Sequence, residues 1–272
     1  MESELKKKDR PFKAERHMRI MEWLERHEDR AHIGELSEAF GVSPITIRRD
    51  LADLSQRGLV YAARGGVFRL QSGTTFEEAY HAKLNEAADA KEQIGRAAVA
   101  QVHAGETILL DGGTTVGTMA KYLIGQDITV ATNALNVMNV LSNSRTVHLI
   151  AIGGEFRRAS QTFLGPAANR MLGEFRFDRA FMGTESFSAD RGLEVPDGDD
   201  AEYKRLAVHA SREVWLVATP EKYGQWRLHR FAACQQLTGV ITSSALPAAA
   251  SEALSLINVP VIRVSERSPA ED

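Results

Sequence analysis

The sequence has little of what extracellular and membrane proteins require. It contains a single cysteine, Cys234, so an internal disulfide is excluded, and a reducing, cytoplasmic compartment is expected. No apolar run approaches the roughly 18 residues that a membrane-spanning helix needs, so no membrane partner is expected. The charged N-terminal stretch is followed by no apolar segment, which argues against a secretory signal. The eight histidines show no metal-binding spacing, so no metal ion is expected.

Charge is unevenly distributed along the chain. Of the 272 residues, 43% are hydrophobic and 25% are charged, which is the balance of an average soluble protein with a sizeable core. The first 70 residues hold 14 Lys and Arg against 12 Asp and Glu, whereas the remainder carries a net charge of −5. A nucleic-acid-binding surface is therefore expected only in the first segment. Whether that segment binds nucleic acid depends on where its basic residues lie and not on its small net charge.

The N-terminal residues show the pattern of a winged helix-turn-helix. Two amphipathic helices are separated from a third by Gly41, which ends the second helix, and by Val42, which returns to the core. Ser43 and Pro44 are an N-cap and a first helical residue. The third helix is followed by two β-prone runs around a Gly-Gly turn. The pattern predicts a DNA-binding domain over 1–70 and a linker over 71–90, where apolar residues are few.

The third helix has two distinct faces. Ile47, Leu51 and Leu54 form an apolar stripe that is expected to face the first two helices. The opposite face carries small residues and adjacent arginines near the helix start, as a recognition helix in the major groove requires. The alternative is an ordinary solvated arginine patch. We predict that the DNA-binding residues are Ser43, Pro44, Thr46, Arg48, Arg49 and, at the hairpin tip, Arg64.

Residues 91–272 alternate strands with helices, which predicts an α/β domain with a largely parallel sheet. The run LLDGGTTVG follows a strand and opens a helix, so its glycines, backbone N–H groups and threonine hydroxyls are suited to a phosphate. It lacks the lysine of a Walker loop. The equally weighted alternative is a tight turn with a threonine N-cap and no ligand.

Further polar clusters follow other strands, and ligands of parallel sheets bind at those carboxyl ends. Asp111, Asn133 and Glu185 are candidates for binding the hydroxyl groups of a sugar. The basic side chains Arg157, Lys204 and Lys222 are candidates for offsetting the charge of a phosphate. The predicted effector-binding residues are Asp111, Gly113, Thr114, Thr115, Thr132, Asn133, Gly153, Gly154, Arg157, Glu185, Lys204 and Lys222.

The run FGVSPITIRRDLADLSQRGLVYAARGG closely resembles the DNA-binding domain of DeoR-type bacterial transcriptional regulators. The resemblance extends over roughly residues 14–265. It implies a C-terminal effector domain related to sugar-phosphate isomerases, operator control of carbohydrate genes, usually repression, and a phosphorylated sugar as inducer. The family's DxGTT, Thr-Asn and Gly-Gly-x-x-Arg motifs match residues 111–115, 132–133 and 153–157, and its acidic-x-x-x-Lys helix resembles Asp200 and Lys204.

Two loops depart from the family pattern. Gly183-Thr184-Glu185-Ser186 stands where relatives often have Gly-Ala-Asp-Gly, and Thr219-Pro220-Glu221-Lys222 stands where they often have Asp-Ser-Ser-Lys. Both loops are expected to face the sugar end of the ligand. The phosphate loop is unaffected.

The combined prediction is a homo-oligomeric repressor, dimer or tetramer, that binds double-stranded operator DNA and is released by a phosphorylated sugar, with no cofactor and no enzymatic activity. One alternative is a sugar-phosphate isomerase or hydrolase with Asp111 or Glu185 as base and Lys204 as electrostatic stabiliser. Another is a structural adaptor that uses the third helix for protein contacts. Cys234 is expected to be a buried, unreactive side chain.

Overall fold

The computed structural model describes residues 13–27, 30–56, 60–63, 66–69, 77, 80–84 and 86–265. It divides into two compact units, Met1–Ser72 and Gly73–Asp272. The second unit thus includes nearly all of the segment 71–90 that the sequence predicts as a linker. Within that segment Tyr80 and Lys83 are buried. Their burial depends on contacts with residues distant in sequence, which a low apolar content does not reveal.

The first unit is a winged helix-turn-helix, as predicted. Its three strands form an antiparallel sheet in the order β1-β3-β2, and the residues of β2 and β3 pair from Val60↔Arg69 to Ala63↔Gly66. Ile20, Leu24 and Leu36 join the third helix in one apolar core. The elements are α1 (Lys13–Arg26), β1 (Arg30–Ala31), α2 (Ile33–Phe40), α3 (Pro44–Gln56), β2 (Val60–Ala63) and β3 (Gly66–Arg69).

The turn between α2 and α3 follows the predicted chemistry. Gly41 adopts the left-handed conformation, with φ 61°, which a residue without a side chain reaches without strain. Val42 is buried, and Ile47, Leu51 and Leu54 form the inward stripe of α3. The opposite face of α3 is consequently left at the surface.

A buried ionic contact orients α3 against α1. Arg16 donates two hydrogen bonds to the Asp50 carboxylate, at 2.5 and 2.9 Å, and His17 Nε2 lies 3.1 Å from the same carboxylate. The hydrogen bond to Asp50 raises the pKa of Arg16. Because such a paired guanidinium fork fixes direction as well as distance, this contact sets the angle at which α3 presents its exposed face.

The second unit is built on a seven-stranded sheet in the order β15-β14-β12-β9-β4-β5-β6, and each neighbouring pair is parallel. Its central strands are almost wholly buried, as expected for a sheet covered by helices on both faces. The strands are β4 (Thr107–Leu110), β5 (Ile128–Thr132), β6 (Val147–Ala151), β9 (Phe177–Met182), β12 (Ser211–Val217), β14 (Gly239–Ser243) and β15 (Val261–Val264).

Helices connect these strands. The helix that the LLDGGTTVG run was predicted to open is interrupted, and the chain forms two short helices there instead. None of the helices in the described residues is long and apolar enough to cross a membrane. The helices are α4 (Tyr80–Lys83), α5 (Ala88–Val99), α6 (Thr114–Gly117), α7 (Ala120–Leu123), α8 (Leu135–Leu141), α9 (Pro166–Gly173), α10 (Gly198–His209) and α11 (Ala248–Leu256), with 3₁₀ turns at Pro220–Lys222 and Cys234–Gln236.

Two small antiparallel sheets are added to this frame, and the alternating pattern did not predict either one. The first is the hairpin of β7 (Glu155–Arg157) and β8 (Thr162–Leu164). The second has the order β10-β11-β13, from β10 (Ser186–Ser188), β11 (Gly192–Val195) and β13 (His229–Ala232). Cys234 lies beside the second sheet and is fully buried, as predicted, and burial raises the pKa of its thiol to about 11.

Candidate functional site

The exposed start of α3 is the candidate nucleic-acid interface of the first unit. Ser43 caps the helix, since its Oγ accepts a hydrogen bond from the Thr46 amide at 3.3 Å and lies 2.9 Å from Thr46 Oγ1. Arg48 and Arg49 are exposed on the next turn. Ile45 is 62% exposed on the same turn of the helix. Pro44 occupies the first helical position, and the predicted Arg64 lies outside the described residues.

The second candidate site is a cleft at the point where the sheet order reverses. From β4, the chain adds β5 and β6 on one side and β9, β12, β14 and β15 on the other. The loops after β4 and β9 therefore separate, and in open parallel sheets ligands bind at such a switch point. The cleft here encloses about 620 Å³, partly open to solvent, and its lining includes residues 112–116, 183–185 and 217–219.

The loop after β4 forms one wall of the cleft. Gly113 has a φ of 123°, a conformation that favours glycine. A Cβ on Gly112 would lie 2.3 Å from Thr162 Cγ2, so that glycine is needed for close contact with the β7–β8 hairpin. Thr114 and Thr115 line the cleft and begin α6. The first N–H groups of a helix have no partner within it, so this wall presents hydrogen-bond donors.

Asp111 connects the loop after β4 with the loop after β9 from beneath the cleft. Its Oδ2 accepts a hydrogen bond from the Gly183 amide at 2.9 Å and a second from Lys204 Nζ. A Cβ on Gly183 would approach the Gly112 carbonyl oxygen to 2.8 Å, so the two loops pack too closely for a larger residue. Asp111 thus positions the cleft wall and neutralises Lys204.

Lys204 and Asp200 lie one turn apart on α10, and their surroundings favour the charged form of Lys204 but disfavour the charged form of Asp200. Burial disfavours the Lys204 cation, but Asp111 and Asp200 outweigh burial and raise its pKa. Burial raises the pKa of Asp200, to about 7; Asp111 and Glu77 add to this rise, and Lys204, 3.7 Å away, opposes it. The cleft therefore contains a firmly charged lysine beside a carboxyl group that takes up protons near neutrality.

Glu185 bridges two lysines on the other side of the cleft. Its carboxylate accepts a hydrogen bond from Lys83 at 2.6 Å and another from Lys222 at 2.7 Å. Burial alone would raise the pKa of Glu185, but the two lysines outweigh burial and lower it from 4.5 to about 2. The two predicted residues Glu185 and Lys222 are thus brought together, and Lys83 completes the group.

Arg157 lies behind the cleft and holds a carboxylate that lines it. Its guanidinium contacts Glu77 at 2.5 Å and Asp197 at 3.3 Å, and Nη1 donates to Ser160 Oγ at 3.5 Å. Burial opposes the Arg157 cation, yet Glu77 and Asp197 raise its pKa. Its charge is therefore used to orient Glu77, which together with Ser160 faces the cleft.

Four other predicted residues, at the ends of β5 and β6, are not among the cleft lining; the hairpin that follows β6 enters the cleft through Ser160 and Thr162 instead. Thr132 Oγ1 accepts a hydrogen bond from the Ala134 amide. Asn133 Nδ2 donates to the Phe163 carbonyl oxygen at 3.1 Å and so supports β8. Gly153 and Gly154 precede β7; a Cβ on Gly154 would lie 2.4 Å from the Leu164 carbonyl oxygen.

The sequence reasoning missed several residues that line the cleft. Tyr80 and Lys83 come from the segment predicted as a linker, and their spacing of three on one helix face was the available signal. Ser160 and Thr162 come from the unpredicted hairpin. Of the predicted effector-binding residues, those that line the cleft are Gly113, Thr114, Thr115, Glu185, Lys204 and Lys222.

Comparison with known families covers both units. Residues 16–72 match the DeoR-like helix-turn-helix domain, and residues 86–244 match the DeoR C terminal sensor domain. The chain belongs to the DeoR family of transcriptional regulators. In this DeoR-family protein α3 belongs to the helix-turn-helix domain, and most of the residues that line the cleft belong to the sensor domain.

Curated relatives align along most of the chain. An uncharacterised regulator of Escherichia coli strain K12, YgbI, is 35% identical over 82% of this chain and 87% of its own. The regulator GlpR of Haloferax volcanii is 31% identical over 92% and 97%. The glycerol-3-phosphate regulon repressor of E. coli K12 is 29% identical over 89% and 95%. The match therefore includes both the DNA-binding and the sensor unit.

Solved structures give a more distant match. Ribose 5-phosphate isomerase A of Methanocaldococcus jannaschii is 15% identical to this chain, covers 51% of it and 55% of its own length, and has a TM-score of 0.38. A likeness at this level supports no conclusion about fold or function.

Proposed function

We propose that this DeoR-family protein is a repressor of a carbohydrate-utilisation operon and that a phosphorylated sugar releases it from the operator. The observation that carries the proposal is the cleft at the switch point of the sensor sheet, where a Gly-Gly-Thr-Thr loop meets three lysines and three carboxylates. Relatives named as a glycerol-3-phosphate regulon repressor and as the repressor GlcR support the assignment to sugar metabolism.

The phosphate is assigned to the loop after β4. Gly113, Thr114 and Thr115 offer backbone N–H groups and hydroxyls at the start of α6. Lys222 and Lys83 face the same part of the cleft. Because both lysines already contact Glu185, they attract a phosphate without leaving uncompensated charge in the empty cleft.

The sugar hydroxyls are assigned to the carboxylates of the cleft. Glu77, Glu185 and Asp200 line it, and hydroxyl groups are good donors to carboxylate oxygens. Protonated Asp200 is in addition a donor to a sugar oxygen near neutral pH. An unphosphorylated sugar would leave the Gly113–Thr115 loop unoccupied, so phosphate is expected to be required for release.

On the DNA side, two copies in a homo-oligomer place their α3 helices in repeated operator half-sites. Arg48 and Arg49 bind guanine edges or phosphates, while Ser43, Pro44 and Thr46 set the helix start against the backbone. Effector binding favours an arrangement that fits the operator poorly. A coupling of about 1–3 kcal/mol changes operator affinity roughly 5- to 150-fold.

The test uses full-length protein and a duplex selected from a random pool by that protein. Fluorescence anisotropy is expected to show binding that weakens with salt. Phosphorylated sugars from a panel are expected to lower the affinity, whereas their unphosphorylated forms leave it unchanged. Recovery of the effector without conversion separates a sensor from an isomerase. Salt-independent binding, or indifference to every phosphorylated sugar, refutes the proposal.

Thr115→Val tests the phosphate loop directly, since valine keeps the shape and removes the hydroxyl. The variant is expected to bind the duplex normally and to resist release by the effector. Thr146→Val, at an exposed position after α8, is the matched control and is expected to respond like wild type. Loss of DNA binding in Thr115→Val would indicate a folding role for this side chain instead.

A further inference from the structure

Part of the cleft wall comes from the segment that lies between the two family matches. The helix-turn-helix match ends at residue 72, and the sensor match begins at residue 86. Glu77, Tyr80 and Lys83 lie between these limits, and all three line the cleft. We call them the connecting residues. The chain that leads from the DNA-binding domain to the sensor domain therefore forms part of the cleft itself.

Two of the connecting residues are attached to elements around the cleft. Glu77 forms an ion pair with Arg157 of the β7–β8 hairpin at 2.5 Å. The Tyr80 amide donates a hydrogen bond to the Ala159 carbonyl oxygen in the turn of the same hairpin at 2.8 Å. The side chains of Tyr80 and Asn136, a residue of α8, share a further hydrogen bond. The segment thus has a defined position in the sensor unit.

Lys83 connects the segment with the phosphate loop, Gly113–Thr115, in two ways. Its Nζ donates a hydrogen bond to Glu185 at 2.6 Å, and both side chains line the cleft together with the phosphate loop. Its carbonyl oxygen accepts a hydrogen bond from Lys91 Nζ. The Lys91 carbonyl oxygen in turn accepts one at 3.0 Å from Thr118 Oγ1, directly after α6. A ligand on the loop would therefore act on α4 through its charge and through neighbouring contacts.

Lys222 has the same electrostatic surroundings as Lys83 but a different place in the chain. It also donates to Glu185, at 2.7 Å, and lines the same cleft, yet it follows β12 and lies within the sensor match. A phosphate monoester carries more negative charge than a carboxylate, so it competes with Glu185 for both lysines. Only at Lys83 does this competition act on the segment that leads to the DNA-binding domain.

We propose that Lys83 turns from Glu185 to the phosphate of a bound sugar phosphate, and that the connecting residues transmit this change to the DNA-binding unit. The proposal rests on the proposed function, since it takes the phosphate to lie on the Gly113–Thr115 loop. Lys222 contributes affinity for the phosphate, whereas Lys83 contributes affinity and also couples binding to release of DNA. The coupling arises because the segment makes different contacts with and without the ligand.

Hydrogen exchange of the full-length protein tests the first step, with inorganic phosphate as the probe and chloride at equal ionic strength as the control. Phosphate is expected to slow exchange in peptides that cover α4 and the phosphate loop, but not in a peptide that covers α11. At about ten times its dissociation constant, a ligand that binds only the closed segment slows local opening about tenfold. Slowed exchange of the phosphate loop with unchanged exchange of α4 overturns the proposal.

The matched variants Lys83→Gln and Lys222→Gln test the coupling by fluorescence anisotropy. The ligand is the panel compound that weakens duplex binding of the wild-type protein most strongly. Both variants are expected to need about tenfold more of it for half-maximal release, since each loses a charged donor to the phosphate. At saturation Lys222→Gln is expected to release the duplex as fully as wild type. In Lys83→Gln the duplex affinity is expected to fall by roughly twofold or less, instead of roughly 5- to 150-fold.

Lys83→Arg keeps the positive charge on the segment and is expected to restore most of the release, which a purely structural role of lysine would not predict. Circular dichroism shows whether each variant folds. If Lys83→Gln does not fold, Lys83→Arg and the hydrogen exchange of the wild-type protein decide the question.

The outcomes separate this proposal from the proposed function. If Lys83→Gln and Lys222→Gln release the duplex to the same extent at saturation, the connecting residues do not carry the signal, and the repressor assignment stands. If phosphate slows exchange of neither α4 nor the phosphate loop and no panel compound releases the duplex, the proposed function fails, and this proposal fails with it.

Discussion

Glu185→Gln is the most informative single substitution in the sensor unit. Glutamine has the shape of a protonated glutamic acid, so the change removes only the negative charge between Lys83 and Lys222. In wild type this charge accepts hydrogen bonds of 2.6 and 2.7 Å from the two lysines. In the variant both ammonium groups lose this carboxylate, and the removal of one buried partner from an ionic group is destabilising.

The size of the effect follows from the pKa of Glu185, which is lowered from 4.5 to about 2. Each pKa unit corresponds to about 1.4 kcal/mol, so the ionised carboxylate stabilises the fold by roughly 3 kcal/mol at pH 7. Because the folded-state pKa is depressed, the contribution is complete well above pH 4.5 and is lost as the pH falls towards 2. By the same relation the difference between wild type and variant shrinks to about 1.4 kcal/mol at pH 3.

Urea unfolding at several pH values measures this difference. Circular dichroism follows the transition, and the quantity of interest is the gap in free energy of unfolding between wild type and Glu185→Gln. The contributions of the other titrating groups are nearly the same in both proteins, so they cancel in that difference. Glu252→Gln, at an exposed position of α11, is the control and is expected to change stability by less than about 0.5 kcal/mol. Inorganic phosphate is expected to stabilise Glu185→Gln more than wild type, since it replaces the missing charge.

The reasoning is refuted by either of two results. A gap below about 1 kcal/mol at pH 7 would mean that the lysines do not favour the carboxylate to the extent that the geometry requires. A gap that stays constant between pH 7 and pH 3 would mean that the loss comes from packing and not from charge.

Arg49→Ala is expected to cost about 1–3 kcal/mol of duplex affinity if Arg49 reads a base, or to weaken binding to all sequences if it contacts phosphate. Fluorescence anisotropy with several duplexes distinguishes the two cases, and Arg212→Ala, at an exposed arginine of the second unit, is the control. Unchanged binding of Arg49→Ala would show that Arg49 is not part of the interface. Exposed Ile45 is expected to contact thymine methyl groups, so thymine-to-uracil exchange in the duplex should weaken wild type more than Ile45→Ala. Asp200→Asn is expected to be more stable than wild type at pH 8, since the raised pKa of Asp200 makes its ionisation costly in the folded state. The gain in free energy of unfolding, measured with urea, is expected to vanish near pH 4. A gain that persists at pH 4 contradicts this reasoning.

The first unit could be predicted closely because its signals are local. A glycine at φ 61°, a serine that caps the next helix and an apolar stripe at 47, 51 and 54 each act within one or two turns. The contact of Arg16 and His17 with Asp50 was not predicted, because it joins residues more than 30 positions apart. Charged residues in a helical pattern look the same whether they are solvated or paired.

The cleft was predicted in part. The loops after β4, β9 and β12 meet, because these three strands are neighbours in the sheet. The loops after β5 and β6 were predicted on the same grounds, but the residues predicted there do not line the cleft, and Ser160 and Thr162 of the hairpin after β6 line it instead. Lys83, conversely, enters the cleft from a stretch with no sustained hydrophobic period. A strand's position in the sheet depends on which partner it pairs with, and single-sequence patterns do not contain that information.

By itself the sequence determined the winged helix-turn-helix with its exposed arginines and the parallel α/β class, since each depends on short-range periodicity, capping and glycine conformation. Only the tertiary structure decided which carboxylate neutralises which lysine, that Arg157 holds Glu77 behind the cleft, and that Lys83 lines the cleft together with the Gly113–Thr115 loop. These features depend on the order of strands and on burial, which bring distant residues together and set their charges.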